Sequence, residues 1–173
     1  MILIRHADAG DPDPGRYPDD GLRPLTPRGQ QEHEAIARAL HRMGIAATHV
    51  LTSPLLRARQ TADITARALG HPGVPEPVEA LGDRFSTRDL LNHLAQCPAD
   101  ALVVCVGHEP HLSRFAATLL HHEGAVRIAL PKSGVIALEC PGHPGPGMAR
   151  LLFALPPEGL VRLLTESGGP GAG

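Results

Sequence analysis

The sequence predicts one α/β domain: a three-layer α/β/α sandwich around a mainly parallel central sheet. Short apolar runs at residues 1–5, 49–52 and 101–106 alternate with longer segments of helical period, which is the pattern of strand–helix–strand units. Each of these runs leads directly into a polar motif: Arg5-His6, Ser53-Pro54-Leu55-Leu56-Arg57 and Gly107-His108-Glu109-Pro110. Open α/β sheets bind ligands at the carboxyl ends of their strands. The length of 173 residues fits a single domain with a real core.

The elements follow in order. Residues 1–5 read as a strand and 7–25, rich in Gly, Pro and Asp, as a loop. Thr26-Pro27 is an N-cap followed by a first-turn proline. The helix it opens runs to about Met43, with Ala35, Ile36, Ala39, Leu40 and Met43 as its apolar stripe and Gly44 as its stop. His49–Thr52 is a strand. Ser53-Pro54 repeats the cap-then-proline signal for a helix to about Leu69. Residues 71–85 are irregular with a short strand near Val78, and 86–96 form a helix capped by Ser86 or Thr87. After the strand at 101–106, a helix spans Pro110 to about His121. Strands are expected at 126–130, 134–140 and 149–155, with 141–147 as a hairpin loop, and a last helical stretch at 156–165. The domain thus covers 1–166, and 167–173 read as a disordered tail.

Composition narrows the function. Net charge is −2 with mixed charges, so no nucleic-acid surface is expected. Aromatic content is 2%, with no Trp and only Tyr17 as tyrosine, which argues against recognition by ring stacking. Three scattered cysteines, Cys97, Cys105 and Cys140, give neither a disulfide framework nor a zinc pattern. Cys105 lies inside an apolar strand and reads as a core residue. The N-terminal apolar run of four residues is too short for a signal peptide, and no stretch approaches a membrane span. A soluble cytoplasmic protein without membrane partners is expected.

Parallel strands would bring Arg5, His6, Arg57 and His108 to one sheet edge. Two guanidinium forks and two imidazoles suit a dianion, most simply a phosphoryl group, and a histidine can attack phosphorus. Eleven histidines invite a metal reading, with His108, Glu109, His111, His121 and His122 close in sequence. No HExxH or cysteine pair is present, however, and Pro110 separates His108 from the helix that carries His111. No metal or other cofactor is expected. His33, His41, His71, His121, His122 and His143 read as surface residues, and Arg38, Arg59 and Arg67 as solvated helix faces.

Arg5-His6-Ala7, the run from Ser53 to Thr61, Gly107-His108-Glu109-Pro110 and Leu25-Thr26-Pro27-Arg28-Gly29 resemble the histidine phosphatase superfamily in order and spacing. That superfamily also contains the phosphoglycerate mutases. The short chain, the run Pro24–Gly29 and the run Gly107–Ser113 look most like the SixA-type phosphohistidine phosphatases. The resemblance covers roughly residues 1–155. It departs at Ala7, where the wider superfamily usually has glycine; this reads as a subfamily marker.

The resemblance implies a phosphoglycerate mutase-like fold and a metal-independent phosphohydrolase. His6 would carry the phosphoryl group transiently, with Arg5, Arg57 and His108 holding it. The attacking imidazole must be neutral, with its second nitrogen held as a donor by a backbone carbonyl. For the acid that protonates the leaving group, Glu109 ranks first, Glu79 second and Asp8 third. Only about 30 residues lie between the second helix and the strand at 101, which leaves little room for a lid. An open site suits phosphohistidine on another protein. A small phosphorylated metabolite, such as a sugar phosphate or nucleotide, is the alternative substrate. Mutase activity would need a closed site, and a non-catalytic phosphate-binding module is the rival outside enzymology.

Overall fold

The computed structural model describes residues 1–121 and 126–166. The strands are β1 (Ile2–Arg5), β2 (His49–Thr52), β3 (Glu76–Pro77), β4 (Val103–Gly107), β5 (Val135–Glu139) and β6 (Arg150–Leu155). The helices are α1 (Pro27–Arg42), α2 (Leu56–Ala68), α3 (Thr87–Leu94), α4 (His111–Leu120) and α5 (Pro157–Glu166). They form one six-stranded sheet in the order β3-β2-β4-β1-β5-β6. The first four of these are parallel neighbours, and β5 runs antiparallel to both β1 and β6.

The sheet has a core on each face because successive strand residues point to opposite sides. Leu3, Leu51, Cys105 and Ile136 face α3 and α4, meeting Leu90, Leu94, Leu112 and Phe115. Ile2, Ile4, Val50, Val104 and Val106 face α1, α2 and α5, meeting Ile36, Leu40, Ala62 and Leu160. This gives the three-layer sandwich with a mostly parallel sheet that the sequence predicts. Arg5 pairs in register with Gly107, and Thr52 with Val106. The ends of β1, β2 and β4 therefore share one edge.

The loop after β1 is locked to the start of α1. Thr26 Oγ1 accepts from the Gly29 amide at 2.9 Å, and the Thr26 amide donates to the Asp8 carbonyl at 2.9 Å. Gly29 lies so close that a Cβ there would sit 2.2 Å from the Asp8 carbonyl oxygen.

Several expectations are corrected. Residues 126–130 form no strand: Val126, Arg127 and Ala129 are exposed, and the place beside β1 goes to β5, which is buried from Val135 to Leu138. The helix expected at Ser53 begins at Leu56, because the Ser53 hydroxyl bonds to His108 and the Leu55 amide. Met43, read as part of the α1 stripe, is exposed, and His33, read as a surface residue, is fully buried. His33 fits the core because both ring nitrogens find hydroxyl partners. His41, His121 and His143 are exposed and His71 is half-buried. His122 and the tail at 167–173 lie outside the described residues. No helix is long and apolar enough to cross a membrane among the described residues.

Candidate active site

At the shared strand edge lies an open cavity of about 340 Å³, lined mainly by polar groups. Arg5 and His6 come from the end of β1, Arg57 from the first turn of α2, and His108 and Glu109 from the turn after β4. The five residues singled out in the sequence thus meet in one place. Asp83, His111, Arg23 and Lys132 also line it.

His6 is 8% exposed. Its amide donates to the Gly107 carbonyl at 2.9 Å, which ties β1 to β4 at the site itself. Its Nδ1 lies 2.7 Å from the Ala7 carbonyl. A carbonyl only accepts, so Nδ1 carries the proton and Nε2 presents a lone pair. Burial lowers the His6 pKa to about 4, against the bond to Ala7 and with help from Arg57, Arg5 and Lys132. The ring is neutral across the physiological range.

His108 faces it, with ring centroids 4.9 Å apart. Burial, then the charge of His6 and Arg57, lowers its pKa to about 3. Its Nε2 lies 2.8 Å from Ser53 Oγ. A hydroxyl can donate or accept, so this contact fixes the orientation of the ring and not its tautomer. Ser53, read from the sequence as a helix cap, instead orients this ring.

The two arginines differ in how they are held. Arg5 donates Nη1 to the Leu130 carbonyl at 3.1 Å. Arg57 Nη1 donates to the Asp20 carbonyl at 2.9 Å and pairs with the Asp20 carboxylate at 3.1 Å. Arg23 grips the same carboxylate at 2.7 Å, and hydrogen bonding to Arg23 holds the Asp20 carboxyl below its usual pKa. Asp20 therefore braces the arginine rim from the loop after β1. Among the described residues, the Nε atoms of both Arg5 and Arg57 are buried without a partner. A buried unpaired guanidinium N–H costs on the order of 1–3 kcal/mol.

The three proposed acids occupy different settings. Glu109 lines the cavity, and its Oε1 accepts from the Ser113 amide at 3.0 Å at the start of α4. Glu79 is exposed in a 3-10 turn at Glu79–Leu81 and does not line the cavity. Asp8 is ion-paired with Lys132, which holds its carboxyl low and charged. Asp83, on the rim, is a carboxylate that the sequence reading passed over. Lys132 and Arg23 were missed as well. The only signal for Lys132 was its position before Ser133-Gly134, ahead of a strand. Among the described residues, no three His, Cys, Asp or Glu side chains gather in a metal-holding group.

Comparison with known proteins agrees with this geometry. The histidine phosphatase superfamily (branch 1) profile matches residues 1–84. An uncharacterised protein of Picosynechococcus sp. (strain ATCC 27264 / PCC 7002 / PR-6) is 37% identical over 140 residues, covering 80% of this chain and 83% of that protein. The structure of the protein histidine phosphatase SixA complexed with tungstate superposes with a TM-score of 0.79 at 23% identity, over 92% of this chain and 97% of that one. The mycobacterial glucosyl-3-phosphoglycerate phosphatase complexed with VO3 gives 0.61 at 18% identity, over 87% and 96%. Sequence kinship over four fifths of the chain, a shared fold and a converged His–Arg edge lead to one conclusion: the chain belongs to the histidine phosphatase superfamily.

Proposed function

We propose that this chain hydrolyses phosphohistidine on another protein, through a covalent phosphohistidine intermediate on its own His6 and without a metal. One observation carries the proposal: the neutral His6 ring, its Nδ1 fixed on the Ala7 carbonyl, lines one open polar cavity with Arg5, Arg57 and His108.

The chemistry runs in two displacements. His6 Nε2 attacks phosphorus in line, and the phosphorus–nitrogen bond of the substrate breaks. The departing imidazole leaves with a proton. Water then attacks the phosphoryl group on His6, releasing inorganic phosphate and returning Nε2 to its neutral state. Arg5, Arg57 and His108 hold the equatorial oxygens throughout, so most of the rate comes from positioning and charge. The positive end of α2 adds to the field at Arg57. Glu109 is the proposed proton donor when the leaving group needs one.

The openness of the cavity supports a protein-borne substrate, since a phosphorylated side chain must enter without being engulfed. The near-complete overlap with SixA supports the same choice. The likeness to a glucosyl-3-phosphoglycerate phosphatase keeps a small phosphorylated metabolite as the second reading. Turnover of a phosphohistidine protein, a phosphoserine protein and sugar phosphates should be compared side by side. Preference for a sugar phosphate by tenfold or more would overturn the first reading.

A further inference from the structure

His33 lies outside the cavity, yet its hydrogen bonds lead to the His6 backbone from two sides. Thr65 Oγ1 lies 2.8 Å from His33 Nε2 and donates its own proton to the Thr61 carbonyl at 2.9 Å. With its one proton used, Thr65 can only accept from His33, so Nε2 carries the imidazole proton. His33 Nδ1 is then a bare acceptor, and Ser133 Oγ, 3.1 Å away, must donate to it. Burial lowers the His33 pKa to about 4, consistent with this neutral tautomer.

Both ends of this chain reach the reacting residue. On one side, the Ser133 amide donates to the carbonyls of Arg5 at 3.1 Å and His6 at 3.3 Å. Gly134 returns a carbonyl to the Arg5 amide at 3.2 Å. Ser133 holds a φ of +59°, a left-handed conformation that costs a non-glycine residue energy unless its bonds enforce it. On the other side, Thr61 Oγ1 accepts from the Ala7 amide at 3.0 Å and donates to the Arg57 carbonyl at 2.7 Å. Linked through the covalent frames of Ser133 and Thr61, these bonds hold the peptide groups on both sides of the His6 ring and the backbone of Arg57.

We propose that His33 is a positioning residue for the phosphoryl transfer, acting through Ser133 and the Thr65–Thr61 pair to hold the His6 and Arg57 backbones in line. This rests on His6 being the reacting group. A displacement of about 1 Å at the reacting atoms can cost on the order of 100-fold in rate, while oxyanion binding by the arginines suffers less.

The test uses three variants of the full chain. His33→Leu removes both bonds, His33→Gln keeps one donor and one acceptor, and Ser133→Ala deletes one link without emptying the core. Steady-state kinetics on a phosphohistidine protein and inhibition by tungstate are measured, with folding checked by circular dichroism. His33→Leu and Ser133→Ala should lose on the order of 10- to 100-fold in kcat, with KM and tungstate inhibition within threefold of the parent. His33→Gln should recover most of that loss. If His33→Leu does not fold, Ser133→Ala decides. Folded Ser133→Ala with kcat within twofold of the parent, or His33→Gln no better than a folded His33→Leu, overturns the proposal and leaves the phosphatase reading intact. A parent chain with no turnover of any phosphorylated substrate removes both.

Discussion

His6 and His108 face each other with ring centroids 4.9 Å apart and planes tilted by 55°. Burial makes both rings harder to protonate. His6 charge is among the causes that depress His108, after burial, and both stand near two arginines. The pair therefore stays neutral well below the pH at which free histidine titrates.

The first expected outcome is a pH profile. In the proposed mechanism the reactive form of His6 is the neutral one, and its pKa is lowered from 6.5 to about 4. The acid limb of kcat/KM, which reports the free enzyme, should fall near pH 4 to 5. A limb centred at 6.5, seen with a substrate that does not titrate there, would show that the nucleophile is not in this buried setting.

Single substitutions should grade by role. His6→Ala should abolish turnover, since the proposed mechanism carries the phosphoryl intermediate on His6. Arg57→Ala should cost on the order of 10³-fold in rate. Tungstate should inhibit competitively, and a chelator should leave activity unchanged. Measurable hydrolysis at near-parental rate in His6→Ala would end the covalent mechanism.

The acid can be found through the leaving group. An alkoxide needs its proton in the transition state, whereas a protonated imidazole already carries one. Glu109→Gln should slow an alkyl phosphate much more than phosphohistidine. Glu79→Gln should change either by less than twofold, because Glu79 lies outside the cavity. The same comparison on Asp83→Asn tests the rim carboxylate. A selective loss there, with Glu109→Gln silent, would move the acid to Asp83.

Acid should destabilise the fold earlier than carboxylates alone would. His6 and His33 are lowered to about 4 and His108 to about 3. The unfolded chain binds protons at these positions from about pH 6.5 downward, while the folded chain does not. Stability is thus full above about 6.5 and declines as pH falls through that window, by up to about 1.4 kcal/mol per pH unit for each proton of difference. Asp8 and Asp20, held low by ion pairs, add their loss only below about 4. Urea unfolding between pH 7 and 4.5 should show the slope, and His33→Gln should flatten it by about one proton. An unchanged slope in that variant would mean His33 is protonated in the folded state.

What was legible in the sequence was what lies along a strand and just beyond it. Val103–Gly107 is apolar because it is buried on both faces, and His108 follows it into the cavity, so pattern and position travel together. Lys132 and Asp20 could not be read that way. Lys132 reaches Asp8 across 124 residues because β5 docks antiparallel on β1, and local periodicity carries no record of which strand will be the neighbour. Asp20 meets Arg57 through the path of a loop. His33 was different, since the signal was present: 33, 36, 37 and 40 share one helical face. The polar character of histidine outweighed its position in that spacing.

Gly29 carries no chemical group, and a side chain there would press on the Asp8 carbonyl, three residues from the end of β1. A mutational scan scored by activity alone would therefore rank this silent position beside the histidines. Read as a list of reactive groups, such a scan would misplace it; read as a map of where backbone must touch backbone, it would mark the hinge on which the loop carrying Asp8 and Asp20 is hung.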